Sequence, residues 1–180
     1  MEPRNREQTA LLRLVMTALL AAMTCAATLV LVVPSPTGGY MNLGDAVVLL
    51  GAFLLGPVGG AAAGGIGAAL ADLLAGYALY VPATLVIKAL MALAAGLLWR
   101  LARRRLPRLG LVLCGIAAET VMVAGYWLYD GLLLRSLTGA AAGVPSNLVQ
   151  AAFGVAAGAM LTAALRRVPA VRRLFPEQLV

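Results

Sequence analysis

The stretch "GDAVVLLGAFLLGPVGGAAAGGIGAALADLLAGY", Gly44 to Tyr77, decides how the chain is read. It is apolar and small nearly throughout, yet it carries an acid near each end, Asp45 and Asp72. The segment "GPVGG", Gly56 to Gly60, divides it. Glycine and proline interrupt helices, and Pro57 suits the first turn of a new one. The pattern therefore predicts two helices, about Leu43 to Leu55 and Val58 to Ala75, joined by a tight turn. The first is short for a membrane span, which needs about 20 apolar residues. In the second, Gly60-x-x-x-Gly64 is a small-xxx-small pattern that lets helix backbones approach closely in lipid.

The rest of the chain has the same character. Hydrophobic residues make up 62% of the 180 and charged residues 12%. Soluble domains average about 45–50% and about 25%. A soluble protein of this size cannot hide so much apolar surface, whereas lipid solvates it directly. Leu11 to Val33 is too long for a signal-peptide core and long enough to cross a bilayer. It stops at "PSPTGG". Further spans are predicted at about Pro82 to Leu101, Leu109 to Tyr129 and Asn147 to Leu165. The expected fold is all-α: one polytopic membrane domain of six transmembrane helices over residues 1–180. Basic tails flank it at 1–10 and 166–180.

Charge sets the topology. The net charge is +7, which in a soluble protein would suggest nucleic acid. Here the charges cluster between apolar runs, so the expected neighbours are membrane lipids and their anionic headgroups, not nucleic acid. Six spans put Arg4, Arg6 and Arg13, the arginines of "RLARRRLPR" (Arg100, Arg103, Arg104, Arg105, Arg108) and Arg166, Arg167, Arg172 and Arg173 on one face. That is twelve of the fourteen Lys and Arg residues. The positive-inside rule makes this face cytoplasmic, with both termini there. Five spans would split the arginines across both faces. Arg135 falls in an outer loop and Lys88 inside a span.

Four ionisable residues sit in or at the edge of predicted spans: Asp45, Asp72, Lys88 and Glu119. A charge at the bilayer centre costs about 2.5–3.5 kcal/mol on insertion scales, so such groups face a bundle interior or a cavity. Two structural alternatives stand beside that reading. Pairs such as Asp72 with Lys88 would fix helix packing alone, and Asp45 and Asp72 lie close enough to helix ends to be interfacial. Glu119, Met122, Tyr126 and Asp130 form one helical stripe, Asn147, Gln150 and Gly154 a second, and Thr84 and Lys88 share a face. With Tyr40, Tyr77, Tyr80 and Trp127 nearby, these groups would line one outward-facing pocket for a small, ring-shaped, polar ligand. Each tyrosine suits the interfacial aromatic belt equally well.

Catalysis has little support. The chain has no histidine, the commonest general base and metal ligand. It has no GxSxG, HExxH or phosphate-binding GxxxxGK[ST]. No catalytic residue, metal or cofactor is expected. Cys25 and Cys114, both inside apolar runs, read as packing residues.

Four phrases together resemble the substrate-binding S component of energy-coupling factor (ECF) vitamin transporters. They are "ALLAAMTCAATL", the Gly44 stretch with its preceding "NL", "PATLVIKALMALAAGLL" and "VPSNLVQAAFG". The likeness covers about Leu11 to Leu165 and looks closest to the riboflavin/hydroxymethylpyrimidine/pyridoxamine-type branch. Its more specific marks are Asn-Leu-Gly-Asp before the second helix and Pro-x-Asn-x-x-Gln at the start of the last.

The resemblance implies a non-enzymatic six-helix protein of the bacterial plasma membrane. Such a protein binds a vitamin or precursor from outside. It then docks on a transmembrane coupling protein with two cytoplasmic ATPases, and toppling turns its site inward. The resemblance also implies an AxxxA docking surface, matched by Ala18, Ala22 and Ala26. The segment "PSPTGGYMN" would be a cap carrying Tyr40 and Asn42. Further pocket residues would be Lys88, Glu119, Tyr126, Asn147 and Gln150, with Asp45 and Asp72 as candidates beside them. Three acids against one lysine favour a neutral or cationic ligand: hydroxymethylpyrimidine, a pyridoxine-type vitamer or riboflavin. Two other functions compete with this one. A proton-coupled secondary transporter would use Glu119 or Asp72. A scaffold subunit would bind no ligand.

Overall fold

The computed structural model describes residues 6–106 and 109–175. Helix α1 spans Arg6–Val30 and is followed by two short antiparallel strands, β1 (Val33–Pro34) and β2 (Tyr40–Met41). Then come α2 (Gly44–Leu74), α3 (Val81–Ala102) and α4 (Leu109–Leu134). A short α5 (Leu137–Ala140) and a 3-10 turn (Ala141–Gly143) lead into α6 (Val144–Leu165) and α7 (Pro169–Leu174).

Helix α2 is 31 residues long. Drawn straight it would measure about 46 Å, well beyond the hydrocarbon of a bilayer. It is not straight. Gly56 has φ 79° and ψ −176°, a region open in practice only to glycine. A Cβ added to Gly60 would lie 2.8 Å from the Ala52 nitrogen, and one on Gly64 would lie 2.8 Å from Val48 Cγ1. Residues so separated would be about 12 and 24 Å apart in one straight helix. The chain therefore folds back at Gly56-Pro57 into a hairpin of two arms, and the small residues of Gly60-x-x-x-Gly64 are what let the arms touch. Counting the arms separately, the described residues form the six helices of the bundle that the sequence predicts.

The first arm occupies the centre. Every residue from Gly44 to Leu54 is buried. A helix enclosed on all sides is apolar all round, and it need not span lipid by itself, which explains its shortness. Met91, Trp99, Leu111 and Met122 pack about it, with the rings of its Phe53 and of Trp99 edge-on at 5.6 Å. Helix α1 is the opposite case. It buries Leu20, Thr24 and Thr28 in one stripe and leaves Val15, Leu19, Met23 and Val30 exposed.

Element ends differ from the sequence reading. Helix α1 starts at Arg6 rather than Leu11, and it stops at Val30 so that Val33 can pair with Met41. Helix α4 runs on to Leu134, because nothing in "DGLLL" breaks a helix before Arg135, whose φ is 51°. Asp130 is thus a helical residue rather than a loop one. The C-terminal tail holds α7, tied down by buried Phe175. Arg100, Arg103 to Arg105, Arg166, Arg167, Arg172 and Arg173 gather at one end of the bundle, the cytoplasmic end by the positive-inside rule. Arg4 and Arg108 lie outside the described residues.

Candidate functional site

The other end of the bundle holds a narrow cavity. Its own side chains nearly fill it, leaving about 20 Å³ of free space, room for about one water. Its walls come from α1, the β1–β2 segment, the second arm of α2, α3, α4 and the start of α6. Of the residues singled out in the sequence, Tyr40, Asn42, Asp72, Tyr80, Thr84, Lys88, Tyr126, Asp130 and Asn147 line it. Asp45, Gln150 and Glu119 do not. They sit beneath it, buried, as a polar floor.

The floor is a connected network. The Lys88 ammonium donates to Asp45 Oδ1 and lies 5.4 Å from the centre of the Tyr126 ring. Gln150 Nε2 donates to Asp45 Oδ2 at 2.6 Å, and Gln150 Oε1 accepts from the Asn42 backbone N–H at 2.7 Å. Asn42 Oδ1 accepts from the Gly44 N–H at 2.9 Å and so secures the start of α2. Lys88 thus pairs with Asp45, not with Asp72 as the packing alternative had it. Both aspartates are also too buried to be interfacial, at 1% and 4% exposure. Glu119 lies against Gly154, where any side chain would collide with its Oε1. Among the described residues neither Glu119 oxygen meets a hydrogen-bond donor, and the Asp45 carboxyl and Lys88 are the groups that act on it.

The walls are tyrosine and hydroxyl. Tyr40 donates to Asp72 Oδ1 at 2.6 Å, and its ring lies 4.5 Å from that of Tyr77. Burial, then the Asp72 carboxylate, pushes the Tyr40 phenol well above its ordinary range, so it stays a donor. Tyr80 donates to Asp130 Oδ1 at 2.9 Å and to the Thr37 carbonyl at 3.2 Å. The Thr84 and Tyr126 hydroxyls are 2.9 Å apart. Ser35 reaches Ser146 at 3.2 Å, tying the β1–β2 segment to α6 across the cavity mouth. Among the described residues, Asp72 Oδ2 and Thr28 Oγ1 are wall atoms buried with no hydrogen-bond partner, although the Thr84 hydroxyl, like that of Tyr40, acts on the Asp72 carboxylate.

Sequence reasoning missed several wall residues. Thr28, Ser35 and Thr37 were not among its candidates, whereas Asp130 lay on its predicted stripe and Tyr80 suited the pocket and the interfacial belt equally. The signal for Thr28 was the Leu20, Thr24, Thr28 stripe, which is the buried face of α1. Trp127 lies off the wall and donates to the Leu137 carbonyl at 3.0 Å. Ala18, Ala22 and Ala26 are exposed on the outer side of α1.

The sequence profile of the S component of ECF-type riboflavin transporters matches residues 8–167. The chain belongs to that family. A Pyrococcus woesei protein, described only as an uncharacterized protein in a gap 3' region, is 37% identical over 142 residues, covering 78% of this chain and 92% of the relative. The family is one of transporter components rather than enzymes. As an S component the chain is a multi-pass cell-membrane protein and the substrate-binding subunit of a vitamin transporter.

Proposed function

We propose that this S component captures an uncharged, ring-shaped vitamin or precursor from outside the cell in the Asp72 cavity. The observation that carries the reading is the pair of buried, unpartnered wall atoms, Asp72 Oδ2 and Thr28 Oγ1. Leaving a buried polar atom unpaired costs about 1–3 kcal/mol. A ligand that offers N–H or O–H groups relieves that cost, and one that lacks them does not. Aromatic neighbours at Tyr40, Tyr80 and Tyr126 suit a flat ring. A phosphate is disfavoured, because Asp72 and Asp130 line the wall and Lys88 is already paired with Asp45. Riboflavin, named by the family, hydroxymethylpyrimidine and pyridoxine-type vitamers all meet these conditions.

In this reading Tyr40 and Asn42 belong to a cap that opens and closes at Gly38 and Gly39. Lys88, Tyr126 and Asn147 hold the ligand from the sides. Asp45, Gln150 and Glu119 fix Lys88 and Asn42 from below. Delivery follows docking of α1, through Ala18, Ala22 and Ala26, on a coupling protein with two ATPases.

The test is a vitamin panel against detergent-purified protein by thermal shift, with mass spectrometry of what co-purifies. One of the three compounds should stabilise the protein, and Asp72→Asn should weaken its binding at least tenfold, about 1.4 kcal/mol. No stabilisation by any of them, with Asp72→Asn as stable as the parent, would favour the scaffold reading.

A further inference from the structure

Glu119 is a buried acid that vitamin capture does not explain. It lies well inside α4, about 15 Å along the helix from Leu109, and is 2% exposed. Its carboxyl is pressed against the backbone of α6. A Cβ added to Gly154 would collide with Glu119 Oε1 and lie 2.9 Å from Asp45 Cβ. One missing side chain therefore makes room for both acids, and their carboxyl groups are neighbours. Among the described residues, neither Glu119 oxygen meets a hydrogen-bond donor. The two donors of the floor, the Lys88 ammonium and the Gln150 amide, are both given to Asp45. The charged groups that act on Glu119 are Asp45 from the first arm of α2 and Lys88 from α3, and α6 presents uncharged Gly154.

An ionised Glu119 would be a buried charge with no donor, beside a second carboxylate that already holds the shared cation. Burial favours neutralising such a group over keeping it charged. A carboxylic acid has one O–H to place and needs one acceptor. Asp45 offers one: Oδ1 takes Lys88 and Oδ2 takes Gln150, and each carboxylate oxygen has room for a second bond.

We propose that Glu119 holds a proton at neutral pH and donates it to Asp45. Glu119 is then the third donor to that carboxylate. The floor carries one negative and one positive charge, so Lys88 is not divided between two acids. Glu119 acts as a positioning residue: through Asp45 it keeps Lys88 in the cavity wall, which Glu119 itself does not line. The proposal holds whichever vitamin the cavity takes.

Infrared spectroscopy of the full-length protein tests it, in a maltoside detergent with no carbonyl of its own. A protonated carboxyl has a C=O stretch apart from the carboxylate and amide bands. At neutral pH the parent should show such a band, and carbon-13 labelling of its glutamates should shift it. The other glutamates, Glu2, Glu7 and Glu177, lie outside the spans read from the sequence. Glu119→Gln should remove the band. Lys88→Met/Asp45→Leu, which takes away the acceptor, should raise its frequency. Melting gives a second readout. Membrane helices stay in the micelle on unfolding, so melting does not expose the acid to water. Glutamine has the shape of the protonated acid and an N–H to offer Asp45, so Glu119→Gln should melt no lower than the parent. An ionised Glu119 sharing Lys88 would behave otherwise, because breaking a buried charge pair is strongly destabilising. No protonated-carboxyl band in the parent, a band that ignores the glutamate label or survives Glu119→Gln, a frequency unmoved in Lys88→Met/Asp45→Leu, or a large fall in the melting temperature of Glu119→Gln would each overturn the proposal.

Discussion

Lys88 and Asp45 are among the most enclosed side chains in the protein, at 2% and 1% exposure. Their pairing joins α3 to the first arm of α2, and Gln150 extends the link to α6. Removing one partner leaves an uncompensated buried charge, which costs about 3–5 kcal/mol, whereas replacing both by apolar groups is often neutral. Lys88→Met should therefore lower stability by about 3–5 kcal/mol, and Lys88→Met/Asp45→Leu should recover most of it. Unfolding in mixed micelles checks this; equal losses in the single and double variants would show that the pair is not the stabilising unit. Tyr40 gives a second residue-level prediction. Burial and the Asp72 bond raise its phenol above the ordinary value of 10.0. A group raised on folding contributes stability that is fully present below its unfolded pKa and lost as pH rises above it. The melting temperature should hold through neutral pH and fall above about pH 10. Tyr40→Phe should flatten part of that fall, read from melting curves across pH 8 to 11.

At the scale of elements, the hairpin of α2 was the part most open to sequence reasoning. Its turn is written in local chemistry: Gly56 supplies a positive φ and Pro57 starts the next arm. Gly56→Ala should cost about 1–3 kcal/mol, since alanine is strained at φ 79°. Gly51→Ala, where the nearest atoms to an added Cβ lie 3.9 Å away, should be nearly neutral. Comparable losses at the two sites, measured by micellar unfolding, would refute the assigned turn. What the sequence concealed was long-range. Asp45 and Asp72 were equally plausible partners for Lys88, because periodicity places residues on a face without saying which helix faces it. The run of α4 to Leu134 was hidden because Asp130 and Gly131 look like loop residues. The short β1–β2 pairing was invisible because two-residue strands carry no period. The spans themselves were legible because lipid forces every backbone group into helix.

At the scale of the whole molecule, the proposed function gives the two faces of α1 separate tasks. Its buried stripe of Leu20, Thr24 and Thr28 packs on the bundle, and Thr28 reaches the wall of the outer cavity. Its other face presents Ala18, Ala22 and Ala26 among exposed apolar residues. Small side chains there leave a flat surface on which a second helix can settle and from which it can leave. A bulky residue at Ala22 points away from the cavity and adds no clash inside the protein. It does spoil close approach by a partner helix. Ala22→Trp should therefore leave the thermal shift produced by the bound vitamin within error of the parent. In cells carrying the coupling protein and its ATPases, the same substitution should reduce uptake about tenfold or more, and pull-down of the coupling protein should fall in parallel. Loss of vitamin binding would mean that this face supports the bundle itself. Full uptake would mean that the coupling protein docks elsewhere.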